Sequence, residues 1–201
     1  MLKKRSLLKK SNNPFNLFNK WFHEASKKEI NDPNAMNLAT VSDKFKPTSR
    51  MVLLKNYDEK GFVFYTNSKS KKGKAILHNP FVALNFHWKT MLRQVRIEGK
   101  ISQVLDSEAN DYFNSRHLES RLGAWASSQS KELKNRLDLE RKIIFYKNKF
   151  SNKNITRPIH WTGFRVKPIL IEFWQDMPYR LHDRLEYKKI GSKWVCKKLS
   201  P

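Results

Sequence analysis

Cysteine is nearly absent from this chain of 201 residues, with Cys196 as the single example. One cysteine excludes an intrachain disulfide framework and a zinc site built from cysteines. No stretch approaches the roughly 18 to 20 apolar residues of a transmembrane helix. The basic start at residues 1–10 is not followed by the apolar core of a signal peptide. These absences predict a soluble protein of the reducing cytoplasm, without membrane association.

Acidic residues are also few. Asp and Glu number 18 against 41 Lys and Arg, so the formal net charge is +23. Such a charge favours anionic partners, which include nucleic acid, acidic lipid and phosphorylated metabolites. Charge alone does not choose among them, because the basic residues are spread along the chain. A general drift of composition toward lysine explains them equally well.

The common catalytic motifs are missing too. The chain has no Gly-rich nucleotide loop, no HExxH and no GxSxG, and its six histidines lack metal-ligand spacing. Hydrolysis by a metal or by a nucleophilic serine therefore has little support, and no metal is expected. The remaining classes are a binding protein and an enzyme whose chemistry resides in an organic cofactor.

What the sequence does contain is a series of short β-favouring runs. We predict strands at residues 36–41, 50–57, 62–66, 81–88, 92–105, 159–166, 169–175, 179–187 and 193–199, with a turn near Pro168. Helices are predicted at residues 14–28, between Ser70 and Asn79, after a cap at residues 106–107, near residues 120–130, and from a Ser130 cap to about residue 150. This order favours a mainly β (α+β) fold, an antiparallel barrel with peripheral helices.

The chain length suits one domain, which we place at residues 14–201. Residues 1–13 are predicted to form a mobile basic arm. The first helix carries an aromatic stripe of Phe15, Phe18, Trp21 and Phe22. We interpret this stripe as core packing rather than as a ligand site.

Residues 50–66 are predicted to form a β-hairpin around a turn at residues 58–61. Arg50 and Lys55 would stand about 16 Å apart on it, at roughly 3.3 Å per residue, which suits one extended anion. Lys71 and Lys72 follow at a helix start, as an anion clamp or as a solvated basic turn. This stretch is the first candidate for binding a phosphorylated ligand.

A second candidate is the segment YRLHDR, in which Arg180, His182 and Arg184 alternate with other residues. If the segment is a strand, these three side chains share one face and Leu181 points the other way. Two cations around one imidazole indicate an anionic or electron-rich ligand, although a solvent-exposed basic strand face is the alternative. Trp174 lies opposite the inward residues of its own strand, where it could stack on a flat ring or pack against a helix.

Several motifs in these stretches resemble one known family. The chain carries, in this order between about residues 34 and 201, RMVLLK, FYT, KSKK, RQVR, YFNSR, WASSQS, EFWQ and RLHDR. Their order is similar to that of the pyridoxine (pyridoxamine) 5′-phosphate oxidase family. The resemblance implies an antiparallel FMN-binding split β-barrel, assembled as a homodimer with FMN at the subunit interface.

The resemblance also implies roles for individual residues. Lys71 stands where most relatives carry arginine, and the basic arm lacks the tyrosine of the family's closing segment, so no lid role is transferred to it. The residues implied to bind the cofactor FMN are Arg50, Lys55, Tyr65, Thr66, Lys71, Lys72, Gln94, Gln129, Ser130, Trp174 and Arg184. Those implied to bind the substrate are Lys55, Tyr112, Arg116, Ser120, Arg180, Leu181 and His182.

The reaction that the resemblance implies is oxidation of pyridoxamine or pyridoxine 5′-phosphate to pyridoxal 5′-phosphate. Hydride would pass to the flavin, dioxygen would reoxidise it, and hydrogen peroxide would leave. Arg180 and His182 are implied to act at the reacting ring as catalytic residues.

Two other functions stay open on the sequence. A nucleic-acid-binding barrel would use the positive charge and exposed aromatic rings, but would not explain the paired ligand positions. A split-barrel protein that binds flavin or a B6 phosphate without turnover would leave Arg180 and His182 without a purpose. The oxidase is therefore the favoured hypothesis, and nucleic acid is an unlikely partner.

Overall fold

The computed structural model describes residues 8–151 and 153–201. Within these residues the chain forms one nine-stranded sheet in which all the pairings are antiparallel. Its strands are β1 (Ala35–Val41), β2 (Pro47–Leu53), β3 (Asn56–Asp58), β4 (Gly61–Asn67), β5 (Phe81–Trp88), β6 (Arg93–Gln103), β7 (Trp161–Gln175), β8 (Asp183–Ile190) and β9 (Lys193–Leu199). The prediction of a mainly antiparallel β-fold is confirmed.

The sheet divides at β7. The main strand order is β2-β1-β5-β6-β7-β4-β3, and β8 pairs with both β7 and β9. β6 lies along one edge of β7, while the other edge pairs with β4 at residues 161–166 and with β8 at residues 170–175. A strand has only two edges for pairing, so β4 and β8 take successive parts of the same edge. The barrel is split at this point.

One face of the first helix packs against the core of the barrel. α1 (Pro14–Lys28) begins at the Asn13 cap, whose side chain accepts a hydrogen bond from the backbone of Phe15. Phe18 packs edge-on against Phe62, with 4.9 Å between ring centroids, and Trp21 packs in the same way against Phe173 at 5.3 Å. The aromatic stripe is therefore core packing, as predicted.

Four more helices lie outside the barrel in the described part of the chain. They are α2 (Lys71–His78), α3 (Asp106–Asn114), α4 (Leu118–Ala126) and α5 (Arg136–Lys149). Ser70 caps α2 as predicted. The prediction that Ser130 caps the long helix is wrong, because Ser130 has φ of +69° and Asn135 caps α5 instead. Leu105, not Asp106 or Ser107, is the residue before α3.

The predicted hairpin at residues 50–66 is also wrong in its pairing. β2 pairs with β1, and only β3 forms a hairpin with β4. The strand predicted at residues 50–57 is interrupted after Leu53, where the buried Leu54 donates its backbone N–H to Asn34 and Lys55 donates to Val63. Arg50 therefore lies on β2, which pairs with β1, whereas Lys55 lies between β2 and β3, so the 16 Å spacing of one continuous strand does not apply.

Two further corrections concern the C-terminal strands. Pro168 lies inside β7 rather than in a turn, at the point where the β6–β7 register shifts between Glu98 and Gly99. A proline has no N–H to donate, so a register shift accommodates it without a lost hydrogen bond. The strand predicted at residues 179–187 begins only at Asp183, since Tyr179 and Arg180 adopt left-handed φ values of 58° and 61°.

The chain before α1 is only partly described. Residues 1–7 lie outside the described residues, so the predicted mobile arm is described only from residue 8. Leu8 is buried, and the backbone N–H of Ser11 donates to the Tyr187 hydroxyl at 2.9 Å. Among the described residues, none of the helices is long and apolar enough to span a membrane.

Candidate functional site

A cavity of about 720 Å³ lies between the barrel and the helices α2, α3 and α4. The barrel supplies the end of β2 and the end of β4, and the helices supply the opposite wall. The chemically active side chains that line it are Lys55, Tyr65, Thr66, Asn67, Lys72, Tyr112, Ser115, Arg116, His117, Ser120, Ser127, Gln129 and Trp161. This lining contains lysine and arginine side chains, and none of the described residues in it is an aspartate or a glutamate. The cavity is therefore suited to anions.

Lys72 forms a cationic corner of the cavity. The residue is buried, and within the described part of the chain its ammonium bonds only neutral oxygens, at 3.2 Å from Thr66 Oγ1, 3.3 Å from Ser70 Oγ and 3.1 Å from Gln129 Oε1. Burial lowers the pKa of Lys72, and the nearby charge of Arg50 lowers it further. A buried ammonium without a carboxylate partner is costly, so this corner favours binding of an anion.

Arg50 adds a second cation beside this corner. Its guanidinium donates from Nη1 to the Leu38 carbonyl and to Thr40 Oγ1, and from Nη2 to Thr48 Oγ1 at 2.7 Å. These acceptors are neutral, and burial lowers the pKa of Arg50. β1 and β2 therefore hold the side chain in place without neutralising it.

A stack of three aromatic rings forms another wall. The Tyr65 ring centroid is 4.0 Å from that of Tyr112 and 5.4 Å from that of Trp161, these two are 6.1 Å apart, and all three planes are within 18° of one another. Burial, followed by the charge of Glu108, raises the pKa of Tyr65 to about 12. Tyr65 therefore stays protonated at neutral pH and cannot serve as an anion itself.

Arg116 lies over this stack. Its guanidinium carbon is 4.6 Å from the Trp161 ring centroid, and burial lowers the pKa of the side chain. Its Nη1 is buried and has no hydrogen-bond partner among the described residues. An orphaned guanidinium nitrogen in a cavity without carboxylates is the arrangement that a phosphate oxygen would complete.

A second group of site residues lies on the outer face of the sheet. Gln94 on β6 is directly across from Trp174 on β7, and Trp174 is directly across from Arg184 on β8. The Arg184 Nε donates to Glu172 at 2.7 Å. None of these side chains lines the cavity of the same protomer.

His182 adjoins this second group. Its ring is 4.6 Å from the Trp174 ring. Its Nδ1 lies 2.9 Å from Asp176 Oδ1 and 3.3 Å from the Met177 backbone nitrogen, and one Nδ1 cannot donate to the first while accepting from the second. The shorter contact favours a proton on Nδ1 directed at Asp176, which leaves Nε2 available to a ligand.

Arg180 and His182 do not share a strand face with Arg184, which corrects the predicted alternation. Arg180 and Leu181 are exposed and belong to the turn that precedes β8. The turn follows from the left-handed backbone at Tyr179 and Arg180, which no period-two pattern could reveal.

The structure brings together eight of the predicted site residues and leaves the others elsewhere. The eight in the cavity are Lys55, Tyr65, Thr66, Lys72, Tyr112, Arg116, Ser120 and Gln129. Those that do not line it are Arg50, Lys71, Gln94, Ser130, Trp174, Arg180, Leu181, His182 and Arg184.

Several residues that line the cavity were not predicted from the sequence, among them Trp161, and the same holds for Gly163, which adjoins the cavity. Trp161 supports Arg116, and Gly163 lies directly across from Tyr65. A Cβ at position 163 would lie 2.6 Å from the Tyr65 ring, so only glycine lets that ring lie flat against β7. In the sequence, a glycine two residues after a tryptophan at the start of a strand could have indicated a place where another group approaches the backbone closely.

Two family descriptions match the sequence. "Pyridoxamine 5'-phosphate oxidase" matches residues 22–144, and "Pyridoxine 5'-phosphate oxidase C-terminal dimerisation region" matches residues 161–201. A pyridoxine/pyridoxamine 5'-phosphate oxidase of Rhodospirillum rubrum is 50% identical over 193 residues, which cover 94% of this chain and 96% of the relative. One of Gloeothece citriformis is 51% identical over 190 residues, with 94% and 89% covered.

Solved structures agree in fold. PhzG from Burkholderia lata 383, in complex with tetrahydrophenazine-1-carboxylic acid, has a TM-score of 0.88 at 27% identity and covers 95% of this chain and 94% of its own. A pyridoxamine 5'-phosphate oxidase-related, FMN binding protein of Nostoc punctiforme has a TM-score of 0.76 at 16% identity, with 95% and 99% covered. The second likeness shows a shared fold only.

The fold is that of a split-barrel protein, and its cavity is lined by cationic groups and by no carboxylate among the described residues. Together with the sequence matches they lead to one assignment. The chain belongs to the pyridoxamine 5′-phosphate oxidase family, and it is an enzyme, an oxidoreductase of vitamin B6 biosynthesis. The family suggests a flavin cofactor, and the match to the dimerisation region suggests a homodimer.

Proposed function

We propose that this protein oxidises pyridoxamine or pyridoxine 5′-phosphate to pyridoxal 5′-phosphate with FMN as its cofactor. The observation that carries the proposal is a pair of cationic groups in or beside one cavity, Lys72 with Arg50 and Arg116 with Lys55. Among the described residues, none of the four has an ion-pair partner and no carboxylate lines the cavity. Two separate cationic groups suit two phosphates, one from the cofactor and one from the substrate.

The cofactor phosphate is assigned to the corner of Lys72 and Arg50. The start of α2 is also there, and the positive end of the helix dipole adds positive potential. Lys71 is exposed on the same first turn and contributes charge at longer range. Tyr65, Thr66 and Gln129 would lie along the cofactor, since they line the cavity beside Lys72.

The substrate phosphate is assigned to Arg116, with Lys55, Tyr112 and Ser120. All four line the same cavity. Tyr112, Arg116 and Ser120 come from α3, α4 and the link between them, and Lys55 comes from the position before β3. The orphaned Nη1 of Arg116 supplies the strongest single donor. The Trp161 ring packs against one face of the Arg116 guanidinium, so the donor is already ordered in the absence of ligand.

The second group of residues would complete the site from the other protomer of a homodimer. Gln94, Trp174 and Arg184 share the outer face of β6–β8, and Arg180 and His182 adjoin it. Residues 161–201, which match the dimerisation region, supply four of these five. Ser130 lies in the exposed loop before α5, and we assign it to the same interface.

The chemistry that FMN supplies when bound is acceptance of a hydride from C4′ of the substrate and, on reoxidation, reduction of dioxygen to hydrogen peroxide. The protein residues orient the substrate and manage its protons. His182 Nε2 would hold or accept a proton of the amine or hydroxyl group on C4′ of the substrate. Asp176 would fix the orientation of the imidazole through Nδ1. Arg180 would bind the ring substituents by charge-assisted hydrogen bonds.

A visible absorption spectrum tests the proposed function. The purified protein, reconstituted with FMN, should lose its oxidised flavin band when pyridoxamine 5′-phosphate is added without air. The band should return, with hydrogen peroxide released, when air is admitted. A bound flavin that never bleaches would refute the oxidase and leave a flavin-binding protein.

The affinity for FMN is expected to fall as pH rises through the lowered pKa of Lys72. In the free protein burial and Arg50 favour the neutral amine, whereas a bound phosphate favours the ammonium. Binding is therefore strongest below the free-protein pKa and weakens above it. Titration of FMN fluorescence between neutral pH and about pH 10 measures this. Lys72→Arg, which does not lose its proton in this range, should flatten the profile.

Replacing His182 by alanine, or Arg180 by alanine, is expected to lower kcat by about 100-fold while FMN stays bound. Neither residue contacts Lys72 or Arg50, so the cofactor phosphate site stays intact. Steady-state kinetics together with an FMN titration separate the two effects. A variant that lost FMN and turnover in parallel would contradict the assignment of these residues to the reacting ring.

A further inference from the structure

Glu172 is a buried carboxylate on the outer face of the sheet. It lies on β7 between Ile171 and Phe173, whose side chains face the core, so its own side chain points outward. An outward carboxylate is normally solvated, yet Glu172 is only 3% exposed. Burial on this face requires strong partners.

Two arginines supply those partners. The Oε2 atom of Glu172 is 2.6 Å from Nη2 of Arg96, and Oε1 is 2.7 Å from Nε of Arg184. Burial by itself would raise the pKa of Glu172, but hydrogen bonds from Arg184 and Arg96 and their charges outweigh it, and the pKa is lowered. The carboxylate is therefore ionised at neutral pH.

Arg184 is held at two of its three nitrogens. Nε donates to Glu172, and Nη1 donates to the Ser200 carbonyl at 3.0 Å. Nη2 has no hydrogen bond among the residues that the structure describes, so it is the group available to a ligand. A free arginine side chain loses rotamer entropy when it is fixed, and these two bonds fix the side chain before a ligand binds.

We propose that Glu172 is the positioning residue that orders the Arg184 guanidinium for the cofactor and substrate. The inference rests on the proposed function, because it takes Arg184 as a residue beside the flavin. Glu172 itself would touch neither ligand. It acts through Arg184, and Arg96 completes its neutralisation from the other side.

The proposal is tested with Glu172→Gln, Arg184→Gln and the double variant. Glutamine keeps the shape of the side chain but cannot accept from both arginines and carries no charge. Loss of one charge-assisted hydrogen bond should weaken FMN binding and lower kcat/KM by about tenfold. The circular dichroism of the bound flavin in the visible range should change as well, because the ring loses an ordered neighbour.

The decisive result is whether the effect of Glu172→Gln on FMN binding depends on the presence of Arg184. If Glu172 acts through Arg184, adding Glu172→Gln to Arg184→Gln should change the FMN dissociation constant by less than about twofold. An equal loss in both backgrounds would overturn the proposal, as would an Arg184→Gln variant with unchanged FMN binding and kinetics. Should the glutamine variant fail to fold, Glu172→Asp keeps the charge, shortens the reach and must show the same coupling.

Glu98→Gln is the matched control. Glu98 also accepts from Arg96, at 2.6 Å, but does not contact Arg184. It should leave the flavin spectrum and FMN affinity unchanged, and a loss equal to that of Glu172→Gln would overturn the proposal. The wild-type protein distinguishes failure of the proposed function from failure of the Glu172 role. Wild type that binds no FMN refutes the proposed function. Active wild type, together with effects of Glu172→Gln and Arg184→Gln that simply add in the double variant, refutes only the role of Glu172.

Discussion

Arg116→Met is expected to lower kcat/KM for pyridoxamine 5′-phosphate by about 100-fold to 1,000-fold while FMN remains bound. Arg116 has a buried, unpartnered Nη1 and lies in a cavity without carboxylates. Two charge-assisted hydrogen bonds to a phosphate, each near the lower end of about 1.5 to 3 kcal/mol, account for the size of the effect. The loss should appear mainly in KM, since the phosphate is remote from the reacting carbon.

The same substitution should not destabilise the protein without ligand. A buried donor without a partner costs about 1 to 3 kcal/mol, and its removal offsets the lost contact with Trp161, of about 0.5 to 2 kcal/mol. Thermal unfolding of the ligand-free variant checks this. The control is Arg121→Met, because Arg121 is an arginine of α4 outside this cavity. Unchanged KM in Arg116→Met, or an equal rise in Arg121→Met, would contradict the phosphate assignment.

Lys72→Met is expected to raise the FMN dissociation constant by about 100-fold. The variant removes the only ammonium buried at the start of α2 within the described residues. Without ligand it should unfold at a higher temperature than the wild type, since a buried, unneutralised charge is removed. Thr66 still bonds Gln129, and Ser70 still bonds Asn67 and Gly73, so no hydroxyl loses its last partner.

The neighbouring Lys71 gives the comparison for this prediction. Lys71→Met changes the same net charge one residue earlier, but Lys71 is exposed and does not line the cavity. Its loss should raise the dissociation constant only by about threefold to fivefold, as screened surface charges do. Fluorescence titration of FMN with both variants measures the difference. Equal effects would mean that general charge, rather than the buried ammonium, holds the cofactor.

Much of the fold follows from local patterns in the sequence. Alternation of buried and exposed residues predicts β6 well, because that strand has one core face and one outer face. Capping residues predict the starts of α1 and α2 well, because the side chains of Asn13 and Ser70 accept hydrogen bonds from first-turn backbone N–H groups, which have no partner within the helix. These signals are carried by the segments themselves, so no knowledge of the rest of the molecule is needed.

Strand pairing and backbone exceptions do not follow from such patterns. The adjacent runs at residues 50–53 and 62–66 look like one hairpin, yet β2 pairs with β1 because of contacts set by the whole barrel. The turn at Tyr179 and Arg180 needs two left-handed residues that are not glycine, which local propensity disfavours. The identities of most site residues came from the family resemblance, whereas the supporting roles of Trp161, Gly163 and Glu172 required the structure.

β7 also limits how the length of this chain can change in evolution. Its side chains alternate between two faces, so inserting or deleting one residue near Trp174 would turn that ring into the core and Phe173 out of it. The helix α5 carries no such constraint, because none of its residues is buried. Among relatives, insertions and deletions should therefore collect around α5 and its flanking loops, and be rare along β7.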